Sequence, residues 1–331
     1  MKSILKLPII IWCFVTLIVY GSVWVSPETF KYSALLSLGI PFLLILNLIF
    51  FLVMIFTRSK KAIVPALLLI IGLSFIQSTF SISKTQESSS SFQVLSYNMM
   101  RMNKGNEKAM LKWITSNSSD IKFFQEFLGR ASVINTIAEN GKYNSFVGGH
   151  ANSYAIFSKY PIINRGVFYE KQTTNNILFA DLKIGKDTLR VYNVHLQSMG
   201  IDVDQEVIDQ GEFEKKYETV RRKFQDGSVK RAAQINDLLE HAKQCRYPIL
   251  IAGDFNDIPY GYNYFKVSRK FNNAFEDAGN GFGFTYNGKL PFLRIDNQFY
   301  NSRLKVLDFT TLNKIDYSDH FPVIGIYSIS Y

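Results

Sequence analysis

Eight polar residues stand where apolar runs stop. Asn98 follows VLSY, Glu126 follows IKFFQ and His195 closes VYNVH. Asp254 and Asn256 follow ILIAG, Asp296 lies within RIDNQF, and Asp319 and His320 precede FPVIGI. A carboxylate, amide or imidazole at the end of an apolar strand sits on the rim of a sheet, where scaffolds present reactive groups. Singly, each reads as an ordinary turn or cap residue. Together they form a set rich in oxygen and imidazole donors, suited to proton transfer and to a hard, oxygen-ligated cation. With two cysteines in the chain, a cysteine-rich zinc site is excluded.

The elements that must position these residues are short runs rich in Val, Ile, Phe and Tyr: FQVLSYNM, IKFFQEF, SYAIFSKY, NILFADLKI, TLRVYNVHL, YPILIAGDF, RIDNQFY and FPVIGIYSI. Helical spacing appears over Glu107–Ser116. It is clearest over Val229–Gln244, where Ala232, Ile235, Leu238, Leu239 and Ala242 share one face. Mixed strands and helices predict a layered α/β domain. The charged stretch Asp202–Lys230 either continues the second helix or forms an excursion.

Composition divides the 331 residues sharply. Six of the 37 basic and one of the 27 acidic residues fall within 1–81, so the rest of the chain carries +5 of the net +10. The basic balance therefore says little about a nucleic-acid partner. Three uncharged stretches, Leu7–Pro27, Tyr32–Thr57 and Ala62–Ser83, are each long enough for a hydrocarbon core of about 30 Å. The first lacks a small-x-small cleavage site and is followed by two more, which favours an anchor over a cleaved signal peptide. Lys2 and Lys6 precede the first stretch, Lys31 alone follows it, and Arg58, Lys60 and Lys61 follow the second. The distribution of basic residues predicts three crossings, with everything after Ser83 outside the cytoplasm. If the third stretch lay in the interface instead, that domain would be cytoplasmic. The expected organisation is an anchor over 1–83, a Ser-rich polar linker over 84–91 and one large domain over 92–331.

The order and spelling of LSYN, FFQEF, FSKYPI, YNVHLQS, IAGDFNDIP, RIDNQFY and SDHFPV resemble the endonuclease/exonuclease/phosphatase superfamily, which includes DNase-like nucleases, neutral sphingomyelinases and inositol-polyphosphate 5-phosphatases. The resemblance spans Phe92 to the C-terminus. It implies a four-layer α/β-sandwich of two packed mixed sheets with a divalent-metal site at one edge. It assigns Glu126 to the metal, Asn98 to metal and phosphate, and Asp319 as the second acidic residue near the metal. His195 would stand near the leaving group, and Asp254 would orient or deprotonate the attacking water. Asn256 would hold the phosphate, and His320 would face it with Asp296 as carboxylate partner.

The implied enzyme is a membrane-anchored phosphoesterase using Mg²⁺, or Mn²⁺, to hydrolyse a phosphodiester or phosphomonoester by water attack. Its substrate would be a nucleic acid, or a lipid or inositol phosphate. The bilayer is a further partner, and no protein partner is predicted. A different reading keeps the fold as a non-catalytic phosphate-binding module, against which the complete set of acids, amides and histidines argues. Two departures stand out. Met100 occupies a position that is acidic in many nuclease members, and Asn297–Gln298 replaces an aromatic–aliphatic pair after Asp296.

Overall fold

A computed structural model describes residues 7–88, 90–102, 105–169, 175–199, 213–288 and 292–330. They form two compact units that do not follow sequence order. One comprises Met1–Thr79, Met199–Ala233 and Ile258–Lys266, and the other Phe80–Ser198, Gln234–Asp257 and Val267–Tyr331.

The first unit is built on apolar helices α1 (Leu7–Gly21), α2 (Tyr32–Ser37), α3 (Ile40–Phe56), α4 (Ile63–Ile71) and α5 (Leu73–Gln77). Two helical segments, Leu7–Trp24 and Tyr32–Phe56, are long and apolar enough to cross a membrane. The third expected stretch forms helices of only nine and five residues, broken at Gly72. A side chain at Gly72 would collide with Leu44 and Tyr20, so close packing explains the glycine. Trp12 donates from Nε1 to Asn47 Oδ1 at 2.9 Å, and Asn47 Nδ2 donates to Leu43 O at 2.8 Å. Such bonds join helices where no water competes. Segments distant in sequence complete this unit. Lys31 pairs with Asp226 at 3.3 Å, Ser78 Oγ donates to Pro259 O at 3.2 Å, and the Phe75 and Phe265 rings meet edge-on at 5.2 Å. The aromatics after GDFND thus serve packing here: Tyr264 is buried, and Tyr260 and Phe265 lie against the cluster around Phe75.

The second unit begins with β1 (Phe80–Ile82), inside the third apolar stretch of the sequence. One six-stranded sheet contains β2 (Phe92–Asn98), β3 (Ile121–Gln125), β4 (Asn144–Gly148), β5 (Tyr154–Ser158), β13 (Leu304–Thr311) and β14 (Val323–Ile329), in the order β13-β14-β2-β3-β5-β4. The other contains β6 (Ile162–Val167), β7 (Asn176–Ile184), β8 (Asp187–His195), β9 (Ile249–Asp254), β10 (Asn272–Asn273) and β12 (Asp296–Tyr300), in the order β10-β12-β9-β8-β7-β6. The pairs β2–β3 and β8–β9 are parallel and the remaining pairs antiparallel. A short ribbon pairs β1 with β11 (Asn280–Phe282).

Val94, Phe123 and Ile156 of the first sheet share a buried cluster with Leu178, Val191 and Leu250 of the second. Alternate residues Leu95, Phe124 and Phe157 face the other way, into a cluster with Met110 and Ile114 of α6 (Glu107–Ser116) and Val133 and Ile137 of α7 (Ala131–Ala138). The clear helical signal forms the C-terminal part of α8 (Phe213–Lys243). Its His241 packs on Phe179 and accepts from, or donates to, Tyr192 OH at 2.8 Å. Burial pushes its pKa down. Residues 213–230 of the charged stretch continue this helix, and residues 202–212 lie outside the described residues. Two short helices complete the elements, α9 (Tyr262–Ser268) and α10 (Ala274–Ala278).

Polar side chains also tie the two sheets together. Gln298 Oε1 accepts from Tyr327 OH at 2.6 Å, and its Nε2 donates to Val94 O at 3.2 Å. Gln125 Nε2 donates to Asn193 Oδ1 at 2.6 Å, and Asn193 Nδ2 donates to Phe124 O and Ala155 O. A buried amide must be satisfied, so these bonds favour one relative register of the sheets. The polar Asn297–Gln298 departure therefore has a structural role.

Candidate active site

Three reactive side chains share one row of the second sheet. His195 at the end of β8 pairs with Asp254 at the end of β9, and Asp254 pairs with Asp296 at the start of β12. Directly opposed residues project to the same face, so the row converges on Asp254. Close strand approach here requires Gly253: its φ is +143°, and a Cβ would run into the carbonyl of Val194. The other sheet supplies Asn98 from the end of β2 and Glu126 just after β3. Register pairs Asn98 with Gln125.

Hydrogen bonds bind these residues into one network. Asn98 Nδ2 donates to Asp254 Oδ2 at 3.0 Å and to Glu126 Oε1 at 3.4 Å. The Asn256 backbone N–H donates to Asp254 Oδ1 at 2.8 Å, and its Nδ2 donates to Asp254 Oδ2 at 3.2 Å and Leu196 O at 3.0 Å. The Nε2 atoms of His195 and His320 lie 3.6 and 3.7 Å from Asp254 Oδ2. His320 Nδ1 is 2.8 Å from Asp296 Oδ2. Glu126 and Asn256 both adopt left-handed backbone, with φ of +46° and +50°. Such conformations cost about 1–3 kcal/mol each and concentrate where a side chain must be aimed.

The electrostatics are those of an acidic pocket. Among the described residues, no lysine or arginine pairs with Glu126, Asp254, Asp296 or Asp319. Burial alone would push the His320 imidazole down. The carboxylates of Asp296 and Asp254 and the Asp296 hydrogen bond outweigh it and hold His320 up at about 10. Burial pushes the Asp296 carboxyl up, and the neighbouring imidazolium opposes that shift. The close pair thus keeps one proton, on His320, at neutral pH.

Asp254, Asp296 and His320 offer donor atoms within 4.8 Å of one another, a group that could hold a metal. The hydrogen bond between Asp296 and His320 already occupies that side. Glu126 is the open carboxylate, its side chain 39% exposed against 1% for Asp254. Together with Asn98 it fits a hard cation that takes few protein oxygens and keeps its waters. Asp319 is half-buried beside His320, with Oδ1 3.2 Å from Ser318 Oγ. No hydrogen bond joins it to Glu126 or Asn98 among the described residues.

Four residues escaped the sequence reading. Ser318 Oγ donates to Asn98 O at 2.8 Å, joining the SDH segment to β2. Thr285 Oγ1 accepts from the Asp296 N–H at 3.0 Å. Tyr154 OH lies 3.3 Å from His195 Nδ1, and Asn175 Nδ2 lies 3.4 Å from His195 Nε2. Only Ser318 lies within a motif that spelling could have flagged. Met100 donates its N–H to Asn98 Oδ1 at 3.1 Å, so its contribution comes from the backbone. His150 is exposed, and Lys159 pairs with Asp120 at 2.9 Å.

Comparisons with known proteins bear on the fold that carries this site. The fold is similar to truncated Caenorhabditis elegans TDP2, at 18% identity over 72% of this chain and 97% of that one, with a TM-score of 0.53. It is similar to the Bacteroides thetaiotaomicron mannosyl-6-phosphatase Bt3783, at 16% identity over 72% and 100% of the two chains, TM-score 0.53. The human nocturnin catalytic domain matches at 15% identity over 72% and 95%, TM-score 0.52. No curated protein matches by sequence. Residues 2–79 match a domain of unknown function (DUF8431). Residues 95–320, more than half of the chain, match a second family, and the two packed mixed sheets are its fold: this protein belongs to the endonuclease/exonuclease/phosphatase family.

Proposed function

We propose that the protein is a membrane-anchored, divalent-metal-dependent phosphoesterase that hydrolyses a phosphodiester or phosphomonoester by attack of water. Family membership makes it a phosphoric ester hydrolase. The observation that carries the fuller reading is the single network around Asp254, in which the carboxylates of Asp254, Glu126 and Asp296, the amides of Asn98 and Asn256 and the imidazoles of His195 and His320 meet.

Glu126, with Asn98 and Asp319 nearby, would hold Mg²⁺ or Mn²⁺, which supplies neutralisation of phosphate charge. Asp254, fixed by Asn98 and Asn256, orients the attacking water and takes its proton. Asn256 and Asn98 carry amides that hold phosphate oxygens. His320, kept cationic by Asp296, donates to a phosphate oxygen and stabilises the charge developing there. His195 stands on the other side of Asp254 and serves the leaving oxygen. The substrate is a nucleic acid, or a lipid or inositol phosphate; a structural neighbour described as a mannosyl-6-phosphatase keeps monoester chemistry in view beside diester chemistry.

The apolar helices support anchoring, and contacts within their unit support an extracytoplasmic catalytic domain. The charged helix α8 meets the first connection, through Lys31–Asp226 and through Arg221 beside Tyr32, rather than the second connection with Arg58, Lys60 and Lys61. Those contacts favour α8 on the side opposite the more basic connection, with α4 and α5 returning across the bilayer. At about 1.5 Å per residue these two short helices make a thin span, which local thinning of the bilayer can accommodate.

The decisive experiment uses the full chain in detergent with Mg²⁺ against plasmid DNA, RNA, sphingomyelin and inositol phosphates. Hydrolysis of one class is expected, abolished by EDTA and lowered about 100-fold or more by Glu126→Gln. Full turnover in EDTA, or none on any substrate with Mg²⁺ or Mn²⁺, refutes the reading.

A further inference from the structure

The ribbon of β1 and β11 is built inside out. A surface strand normally turns apolar residues inward and polar ones to water. Here Phe80 and Ile82 face outward, 39% and 82% exposed, while Ser81 between them is buried and donates to Glu276 O at 3.1 Å. Register places Phe282, 60% exposed, directly opposite Phe80, with ring centroids 5.0 Å apart. The apolar surface continues along the chain. Phe284 stacks on Phe282 at 5.3 Å with planes 10° apart, and Phe292, 71% exposed, meets Phe284 edge-on at 5.3 Å. Segments 80–83 and 280–288 hold no charged side chain, and the basic residues Lys84 and Lys289 follow them directly in the sequence.

This clustering is not the usual scatter of exposed apolar residues. Among the described residues of the catalytic unit, five large hydrophobics are exposed. Ile163 stands alone, and the other four belong to this ledge. A contiguous exposed patch of this kind marks an interaction surface. The ledge also borders a cavity of about 560 Å³ whose wall includes Tyr286 and Phe321. Tyr286 sits edge-on to His320 at 5.5 Å, so the ledge leads to the reactive histidine.

We infer that the ledge Phe80, Ile82, Phe282, Phe284 and Phe292 is a second membrane contact, dipping into the interfacial layer of the bilayer beside the catalytic site. The chain itself points to this occupant: only Ser78 and Thr79 separate the last apolar helix from Phe80, about 11 Å of extended chain at most. Aromatic rings favour the headgroup boundary, where water gives way to hydrocarbon. The inference rests on the anchoring proposed above.

The test uses the full chain in phosphatidylcholine nanodiscs, with Cys13 and Cys245 replaced by alanine. Single cysteines, Phe282→Cys, Phe292→Cys and, as a control, Ile163→Cys, carry a bimane fluorophore. Both ledge side chains are mostly exposed, so neither change opens the core. Doxyl-labelled phosphatidylcholine should quench the labels at 282 and 292 roughly twofold or more beyond the label at 163. Equal quenching at all three positions, in a chain that resists alkaline extraction, overturns the ledge as a membrane contact and leaves anchoring intact. Shielding of 282 and 292 from iodide without doxyl quenching assigns the ledge to a protein partner and likewise overturns it. Release of the full chain by alkaline carbonate overturns the anchoring and the ledge together.

Discussion

The two buried histidines of the site occupy opposite flanks of Asp254 and live in different chemical surroundings. His320 meets a carboxylate at 2.8 Å through Nδ1 and turns Nε2 toward Asp254. His195 contacts neutral partners, Tyr154 OH and the Asn175 amide, at 3.3 and 3.4 Å, with its nearest described carboxylates at 3.6 and 3.8 Å. One imidazole is therefore held as a standing cation. The other has a hydroxyl and an amide as its nearest polar partners. In the proposed mechanism the first stabilises accumulated charge and the second exchanges a proton with the leaving oxygen. Sheet register and packing put both in reach of one aspartate, and their neighbours give them different surroundings.

The sharpest way to break this comparison is to remove its centre. Asp254→Asn leaves both histidines in place but takes away the group that both flanks share. kcat at saturating Mg²⁺ should fall about 10³-fold, within the range expected for loss of a general base. A fall of less than tenfold would move the base elsewhere and dissolve the two-flank description.

Asp296→Asn tests the cationic flank alone. The neutral amide no longer favours the imidazolium, so the pKa of His320 should drop from its raised value. Activity at neutral pH should fall, and part of it should return on mild acidification, which restores the His320 cation. Stability gives a second readout. In the native protein His320 is held up at about 10 from an ordinary 6.5. Its contribution is complete below pH 6.5 and is lost as pH rises toward 10. Melting temperature should decline across that window in the native protein and stay flatter in the variant. Parallel profiles for the two proteins would show that Asp296 does not hold the proton on His320.

The neutral flank should respond least. Tyr154→Phe removes one hydroxyl contact to His195, a hydrogen bond worth about 0.5–1.5 kcal/mol, so kcat should drop roughly two- to tenfold. Because no charge is lost, the pH profile should keep its shape. A displaced profile would mean that the Tyr154 hydroxyl affects the charge balance of the site, and the two flanks would then resemble each other.

The site was legible to the degree that its residues lie at the ends of strands. Asn98, Glu126, His195, Asp254 and His320 each border a run of apolar residues, and alternation of side chains along a strand says which end reaches the rim. Ser318, Thr285, Tyr154 and Asn175 were not legible, because each acts through a partner on another strand or loop. Nothing in the spacing of SYAIF tells that Tyr154 will meet a histidine 41 residues later. The Asn297–Gln298 pair looked like a polar blemish on a strand. It became explicable only when Gln298 was seen joining Tyr327 to the backbone of Val94.

Local pattern alone determined the apolar N-terminal helices, the alternation of strands and helices, and the identity of the rim residues. These follow from hydrophobic periodicity and from residue types that depend on few neighbours. Tertiary structure decided the rest. It broke the third apolar stretch at Gly72 and made its tail a strand, because close packing against Leu44 and a register with β11 outweigh continuous hydrophobicity. It joined Met199–Ala233 and Ile258–Lys266 to the apolar helices, a grouping that sequence order conceals. It also distinguished the two histidines, since the charge state of an imidazole depends on which carboxylate lies within about 3 Å, and that distance is set by packing between strands far apart in the chain.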